Sequence, residues 1–276
     1  MNAWKFEKKD ILWVGLVCIL AVLPLVPGMI GNSFRAHVLI MILLYASMAQ
    51  SWNIVSGYAG QVSFGHSVFF GIGAYGAGMA VVTYGLTPWP GFLAGAVLAS
   101  LVSVLISYPC FKLKGHYFAI ATFAIVEIFN RLFMVWDWVG GALGLDYPIL
   151  PDGWKNFGWS GTKAGFFYGA LALFVLYNYR VDPPMVMSLD MSMKFVLITI
   201  LGGVGNFWGP LLGAAILIPL QEYSRAYLTA LGSGVDLVIF GIIIMLMMIR
   251  QPKGIMGILE EVSAGVRKKD REGGAD

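Results

Sequence analysis

The stretch Gly57–Gly78, GYAGQVSFGHSVFFGIGAYGAG, decides how the rest of the chain is read. It holds seven glycines, no charged residue and a scatter of polar side chains, Gln61, Ser63 and His66 among them. Gly71, Gly73 and Gly76 spell GxGxxG. A dinucleotide fingerprint needs a strand before it, a helix after it and an acidic residue about 20 positions on. Here the match lies inside an apolar run, and the next acid is Glu127. The nucleotide reading fails, and without a GxxxxGK[ST] motif the chain supplies no P-loop of its own. A membrane reading explains more. Gly73/Ala77, Ala74/Gly78 and Gly76/Ala80 are small residues four apart, and such faces let helix backbones approach closely in lipid.

Composition agrees. Of 276 residues, 58% are hydrophobic and 12% charged, where a soluble domain carries about a quarter charged. Five of the charges lie in residues 1–10 and eleven in 250–276, and no carboxylate occurs between Asp10 and Glu127. The net charge of +3 therefore reflects basic termini, as in inner-membrane proteins, and not a nucleic-acid surface. Cys18 and Cys110 form no disulfide framework, and His37, His66 and His116 are too scattered for metal ligation. No G-x-S-x-G elbow, no H-E-x-x-H and no convergent aspartates argue for an enzyme, and no cofactor or metal is expected.

A crossing helix needs about 20 apolar residues. Candidate spans are 11–29, 37–56, 66–84, 91–109, 117–138, 164–178, 191–204, 208–228 and 234–249. The opening MNAWKFEKKD and the run Ile11–Met29 imitate a signal peptide, but the run is long enough to span and reads as a retained helix. Lys5, Lys8 and Lys9 place the N-terminus inside; Lys112 and Lys114 fall inside four crossings later; six basic tail residues place the C-terminus inside. Nine crossings violate that parity. The weakest candidate is 164–178, so the expectation is an all-α polytopic membrane helix bundle of eight to nine segments with both termini cytoplasmic. It forms one transmembrane domain over 1–276, with a short cytoplasmic tail at 251–276.

A second glycine ladder, Gly205, Gly209 and Gly213, is interrupted by Pro210, so the chain is expected to break there. A broken backbone at membrane depth is tolerated only inside protein or beside a water-filled path. Gly73, Gly76, Ala77, Gly209 and Gly213 are therefore read as helix packing. Gln61, Ser63, His66, Gly202, Gly203, Gly205 and Asn206 are read as lining a path. Glu127 and Arg131 stand four apart on the fifth span and are expected to form an intramembrane ion pair; such groups usually face the bundle interior, and the pair reads as structural or as a contact to a partner subunit, with a direct role toward substrate or a proton as the alternative.

Four stretches in order carry a family resemblance: AQSWNIVSGYAGQVSFGHSVFFGIGAY (49–75), KLKGHYFAIATFAIVEI (112–128), ILGGVGNFWGPLLGAAIL (200–217) and QPKGIMGIL (251–259). Together they resemble the permease subunits of branched-chain amino acid ABC importers, the LivM type. The resemblance implies a bacterial cytoplasmic-membrane, multi-pass protein that moves branched-chain or related hydrophobic amino acids. It implies a second permease of the LivH type, two cytoplasmic ATPase subunits and a periplasmic substrate-binding protein as partners, with membrane lipid around them and no nucleic acid. Urea and short-amide importers use similar permeases. The pattern departs from the family between Ala164 and Lys194, where one span looks stitched together from two and the cytoplasmic ATPase-docking loop looks absent near 176–182. The parity failure points to the same place. A pseudo-permease or scaffold uncoupled from ATP hydrolysis is thus the competing reading.

Overall fold

The computed structural model describes residues 33–148, 187–206, 208–228 and 254–257, with further positions at 151, 153, 155, 156, 180, 181, 241, 242 and 245. The expected spans 11–29 and 164–178 and nearly all of 234–249 lie outside the described residues. What is described is dominated by helix. Helix α1 runs Ser33–Asn53 and continues as a π-helical turn, Ile54–Tyr58. Helices α2 (His66–Val82), α3 (Pro88–Cys110) and α4 (His116–Val135) follow, and α5 (Leu189–Gly202) and α6 (Gly209–Leu228) come after the connector.

Among the described residues, three helices are long and apolar enough to cross a membrane: Phe34–Tyr58, Pro88–Cys110 and His116–Val135, with mean hydropathies of 1.7, 2.0 and 1.8. Their ends follow from local chemistry. Pro88 begins α3, where a missing N–H costs nothing because the first-turn donors have no intrahelical partner. Gly115 stops the chain at φ 56° before α4, a conformation that a side chain would strain. Ser188 caps α5 by accepting from the Met191 N–H at 3.2 Å.

Two bundles result. α2 packs along α3, with α4 beside both; α1, α5 and α6 pack on one another. A core of Trp52, Val68, Tyr75, Phe133, Met187, Phe195, Ile198 and Leu217 joins them. The α2–α3 crossing is made of backbone. A Cβ on Gly76 would stand 2.6 Å from Gly95 Cα, and one on Gly91 2.8 Å from Ala77 Cα. Only hydrogen fits there, and close approach in turn gives dispersion contact along both helices. Gly71, Gly73 and Gly76 lie in the interior of helix α2, so the GxGxxG spacing sits on a helix and forms no loop.

One short strand pair accompanies the helices. Leu145–Asp146 pair antiparallel with Arg180–Val181, in the register Leu145↔Val181 and Asp146↔Arg180. The connector after α4 is folded back on α2 at this point. The Tyr147 hydroxyl donates to the Ala77 carbonyl at 3.2 Å, and burial raises the phenol above its ordinary pKa. Tyr147→Phe is expected to cost about 1 kcal/mol by losing that bond, read as a lowered midpoint in thermal unfolding of the detergent-solubilised protein. An unchanged midpoint would mean that the connector is held by the Leu145 contacts alone.

Candidate functional site

The two breaks in helical structure meet. At the end of α1 the π-turn Ile54–Tyr58 widens the helix, a distortion that is frequent at functional sites. Between α5 and α6 the chain leaves helical geometry from Gly203, with φ of 123° at Gly203 and 79° at Gly205. Asn53, fully buried, bridges the two: its Oδ1 accepts from the Gly205 N–H and its Nδ2 donates to the Asn206 carbonyl, each at 2.8 Å. A Cβ on Gly57 would come within 2.7 Å of Gly205 N. One turn earlier, the Thr199 hydroxyl lies 3.0 Å from the Ala49 carbonyl and 2.9 Å from the Phe195 carbonyl, its single proton shared between the two acceptors.

The α5–α6 break is held shut by glycine against backbone. Cβ atoms on Gly202, Gly209 and Gly213 would collide with the carbonyls of Gly209, Gly203 and Ile198. On the far side, Gly254, at φ 68°, would place a Cβ 2.7 Å from Gly203 N and 2.8 Å from the Ile200 carbonyl oxygen. The break is therefore clamped between the π-turn and Gly254. The Asn206 side chain turns inward locally, its Oδ1 accepting from the Trp208 N–H at 3.0 Å.

The loop from Ala59 to Gly65 is tied to the same end of α1. Trp52 Nε1 donates to the Ser63 carbonyl at 2.6 Å, and the Ser56 hydroxyl donates to the Gln61 carbonyl at 2.8 Å. The Phe64 N–H donates to Thr122 of α4, and the Ser67 N–H to the Ser192 hydroxyl of α5. Trp52→Phe is expected to cost about 1 kcal/mol of stability and to raise amide exchange at Ser63–Gly65; unaltered exchange there would contradict the tie. Among the described residues, Gln50 Oε1, Gln61 Oε1 and His66 Nδ1 are buried without a hydrogen-bond partner.

Of the residues expected to line a path, Gly202, Gly203, Gly205 and Asn206 gather at the break. Ser63 and Gln61 join them through Trp52 and Ser56, and His66 opens α2. Of the packing residues, Gly76 and Ala77 meet α3, while the space around a Cβ on Gly73 is open. The ion pair exists, Arg131 Nε to Glu127 Oε1 at 2.9 Å. Its two side chains are 74% and 52% exposed, and Phe118, Thr122, Val126, Asn130 and Phe133 form the buried face of α4. Asn53, Gly57, Thr199 and Gly254 were not singled out in the sequence, nor was the His37–Glu222 contact at 3.7 Å. For Asn53 a signal existed, an amide that with Gln50 interrupts an otherwise apolar span. An apolar crevice of about 570 Å³ lies between α2, α3 and α4, walled by Tyr75, Met79, Leu98, Phe133 and Trp136. No cluster of metal-ligating side chains occurs among the described residues.

Residues 34–148 match a family described as "Branched-chain amino acid transport system / permease component". Two similar proteins are the high-affinity branched-chain amino acid transport system permease proteins LivM of Escherichia coli (strain K12) and Salmonella typhimurium (strain LT2), 27% and 26% identical over 119 residues. Each match covers 43% of this chain and 28% of the relative's length. No solved structure matches the chain.

Proposed function

We propose that the chain, whose residues 34–148 match the branched-chain amino acid permease-component family, is a membrane permease subunit of an ATP-binding-cassette importer. It moves branched-chain or related hydrophobic amino acids across the bacterial cytoplasmic membrane. The observation that carries this reading is the family match over three of the apolar helices and the π-turn. In the proposed arrangement, 1–276 is one transmembrane domain of eight or nine segments, with both termini and the 251–276 tail in the cytoplasm. A second permease subunit, two ATPase subunits and a periplasmic binding protein complete the importer.

The paired breaks are the element that moves. Transporters carry sites where helices are interrupted, because unwound backbone offers hydrogen-bonding groups to a substrate at membrane depth. Gln61, Ser63, His66, Gly202, Gly203, Gly205 and Asn206 line the path in this reading. Backbones in contact without intervening side chains slide between packed states with small displacements. Asn53 couples the two halves by one amide, so ATPase-driven rocking of one bundle is passed to the other.

The test is purification of tagged protein from native host membranes in mild detergent, with bound proteins identified by mass spectrometry. Two ATPases and a second permease are expected, followed by uptake of leucine, isoleucine and valine. Recovery without ATPases would sink the importer reading and favour an uncoupled pseudo-permease. The departure of residues 164–194 from the resembled family's pattern, where a docking loop is expected, supports that second reading. In an uncoupled chain, a cysteine introduced by Tyr179→Cys would react with an impermeant thiol reagent from outside intact spheroplasts, because both ends of the segment are then periplasmic.

A further inference from the structure

The exposed face of α4 carries something that lipid does not accept. α4 is 20 residues long, so it spans about 30 Å, the thickness of a bilayer's hydrocarbon core. Glu127 is its twelfth residue, within about 2 Å of the middle at 1.5 Å per residue. Arg131 stands one turn further on. Tyr117, Ile120, Ala124, Glu127, Ile128, Arg131 and Val135 form one exposed stripe, and the ion pair lies along its centre. Charged side chains at mid-membrane cost several kcal/mol each against hydrocarbon and almost always face protein or water. Pairing at 2.9 Å offsets part of this, but both groups keep unused hydrogen-bonding capacity on the outer surface.

Helix α3 is the internal comparison. Its exposed side chains are mostly apolar, Leu93, Val97, Leu101, Val104 and Leu105 among them; Ser100 turns its hydroxyl back to donate to the Ala96 carbonyl at 2.8 Å, and no charged residue occurs from Pro88 to Cys110. That is how a lipid-facing helix reads. Two neighbouring helices of similar length and hydropathy thus present different faces, one fit for lipid and one not.

We propose that the Glu127–Arg131 face of α4 is the seat of a second membrane-spanning subunit, one that presents ionisable or amide side chains in an apolar helix at the same depth. Charge complementarity selects this occupant. A carboxylate and a guanidinium one turn apart fit a partner helix that can donate to the first and accept from the second, and neither an acyl chain nor a wholly apolar helix does either. The choice of a different subunit over a second copy rests on the permease-component reading, which makes this chain one part of a larger transport system.

The test places a photoreactive benzoylphenylalanine at Ala124, mid-stripe, and separately at Leu101 on α3, in chain expressed in its native host and irradiated in intact membranes. Ala124 is expected to cross-link to another polytopic protein, at a peptide that carries an ionisable or amide residue within an apolar span. Leu101 is expected to yield lipid adducts. Arg131→Gln is expected to lower the Ala124 adduct about threefold to tenfold, the range of one interhelical polar contact. Lipid adducts at Ala124, adducts to this chain's own peptides within or between copies, or modification of Ala124→Cys by a membrane-impermeant reagent would each overturn the proposal. An Ala124 adduct unmoved by Arg131→Gln would do the same. If Arg131→Gln impairs folding, the two cross-linker positions in otherwise unaltered chain decide. ATPases recovered with a lipid-only Ala124 adduct would sink this inference and leave the importer reading standing. A polytopic partner recovered without ATPases would do the reverse.

Discussion

Gly95→Leu is expected to dismantle the α2–α3 crossing, while Gly73→Ala on the opposing helix passes almost unnoticed. The two glycines face one another, yet the space around them is unequal. A Cβ on Gly95 would lie 2.9 Å from the Gly73 carbonyl oxygen and 3.0 Å from Gly73 Cα, whereas a Cβ on Gly73 has nothing within 4 Å. The atoms met at position 95 are backbone, so no rotamer change relieves them; the helices must separate. Overpacking of this kind costs about 1–3 kcal/mol, occasionally more, and the crossing loses its contacts on either side as well. A substitution that meets open space stays within about 0.5 kcal/mol. The measurement is thermal loss of the monodisperse peak on size exclusion in detergent, with yield from membranes as a second readout. A wild-type midpoint for Gly95→Leu, or equal losses for both variants, would contradict the geometry described.

Small-residue spacing made one side of this crossing legible in advance. Gly73, Gly76 and Ala77 mark the face, and Pro88 and Gly115 mark helix ends, because those residues act on their own backbone. The partner side was not legible: nothing local says that Gly91 and Gly95 are what α2 meets. The same limit hid the clamp at the helix breaks. Gly203 and Gly205 announce irregular backbone by composition, but Asn53 reaches Gly205 across 152 residues of chain, and only the fold supplies that distance. The His37–Glu222 contact was missed for the same reason. Glu127 and Arg131 show the converse. Their i,i+4 pairing was read correctly from spacing. Which face of α4 they occupy was not legible, because spacing pairs two residues on one helix and says nothing of what packs against it. The two-residue β pairing was invisible, being too short for any alternation of side chains to reveal.

Asn53→Ala is expected to uncouple the two helix breaks and to lower uptake by about tenfold or more, equivalent to 1.4 kcal/mol, in a chain that still reaches the membrane. The amide is fully buried and spends both ends on the other break, accepting from Gly205 and donating to Asn206. Removing it leaves those backbone groups to find other partners, at about 1–3 kcal/mol. Asn53→Asp keeps the acceptor for the Gly205 N–H but sets a carboxylate against the Asn206 carbonyl, so it is expected to rescue little. Gly57→Ala attacks the same contact from the other direction, through a Cβ 2.7 Å from Gly205 N. Three chemically different changes should therefore converge on one phenotype: faster hydrogen exchange at residues 203–206 with α3 and α4 unaffected. The exchange readout does not depend on transport, so the clamp is testable even in a chain that moves nothing. Unchanged protection at 203–206 in Asn53→Ala would mean that glycine packing alone holds the break. The coupling would then pass through the contact between Gly254 and Gly203, on the opposite side of the same loop.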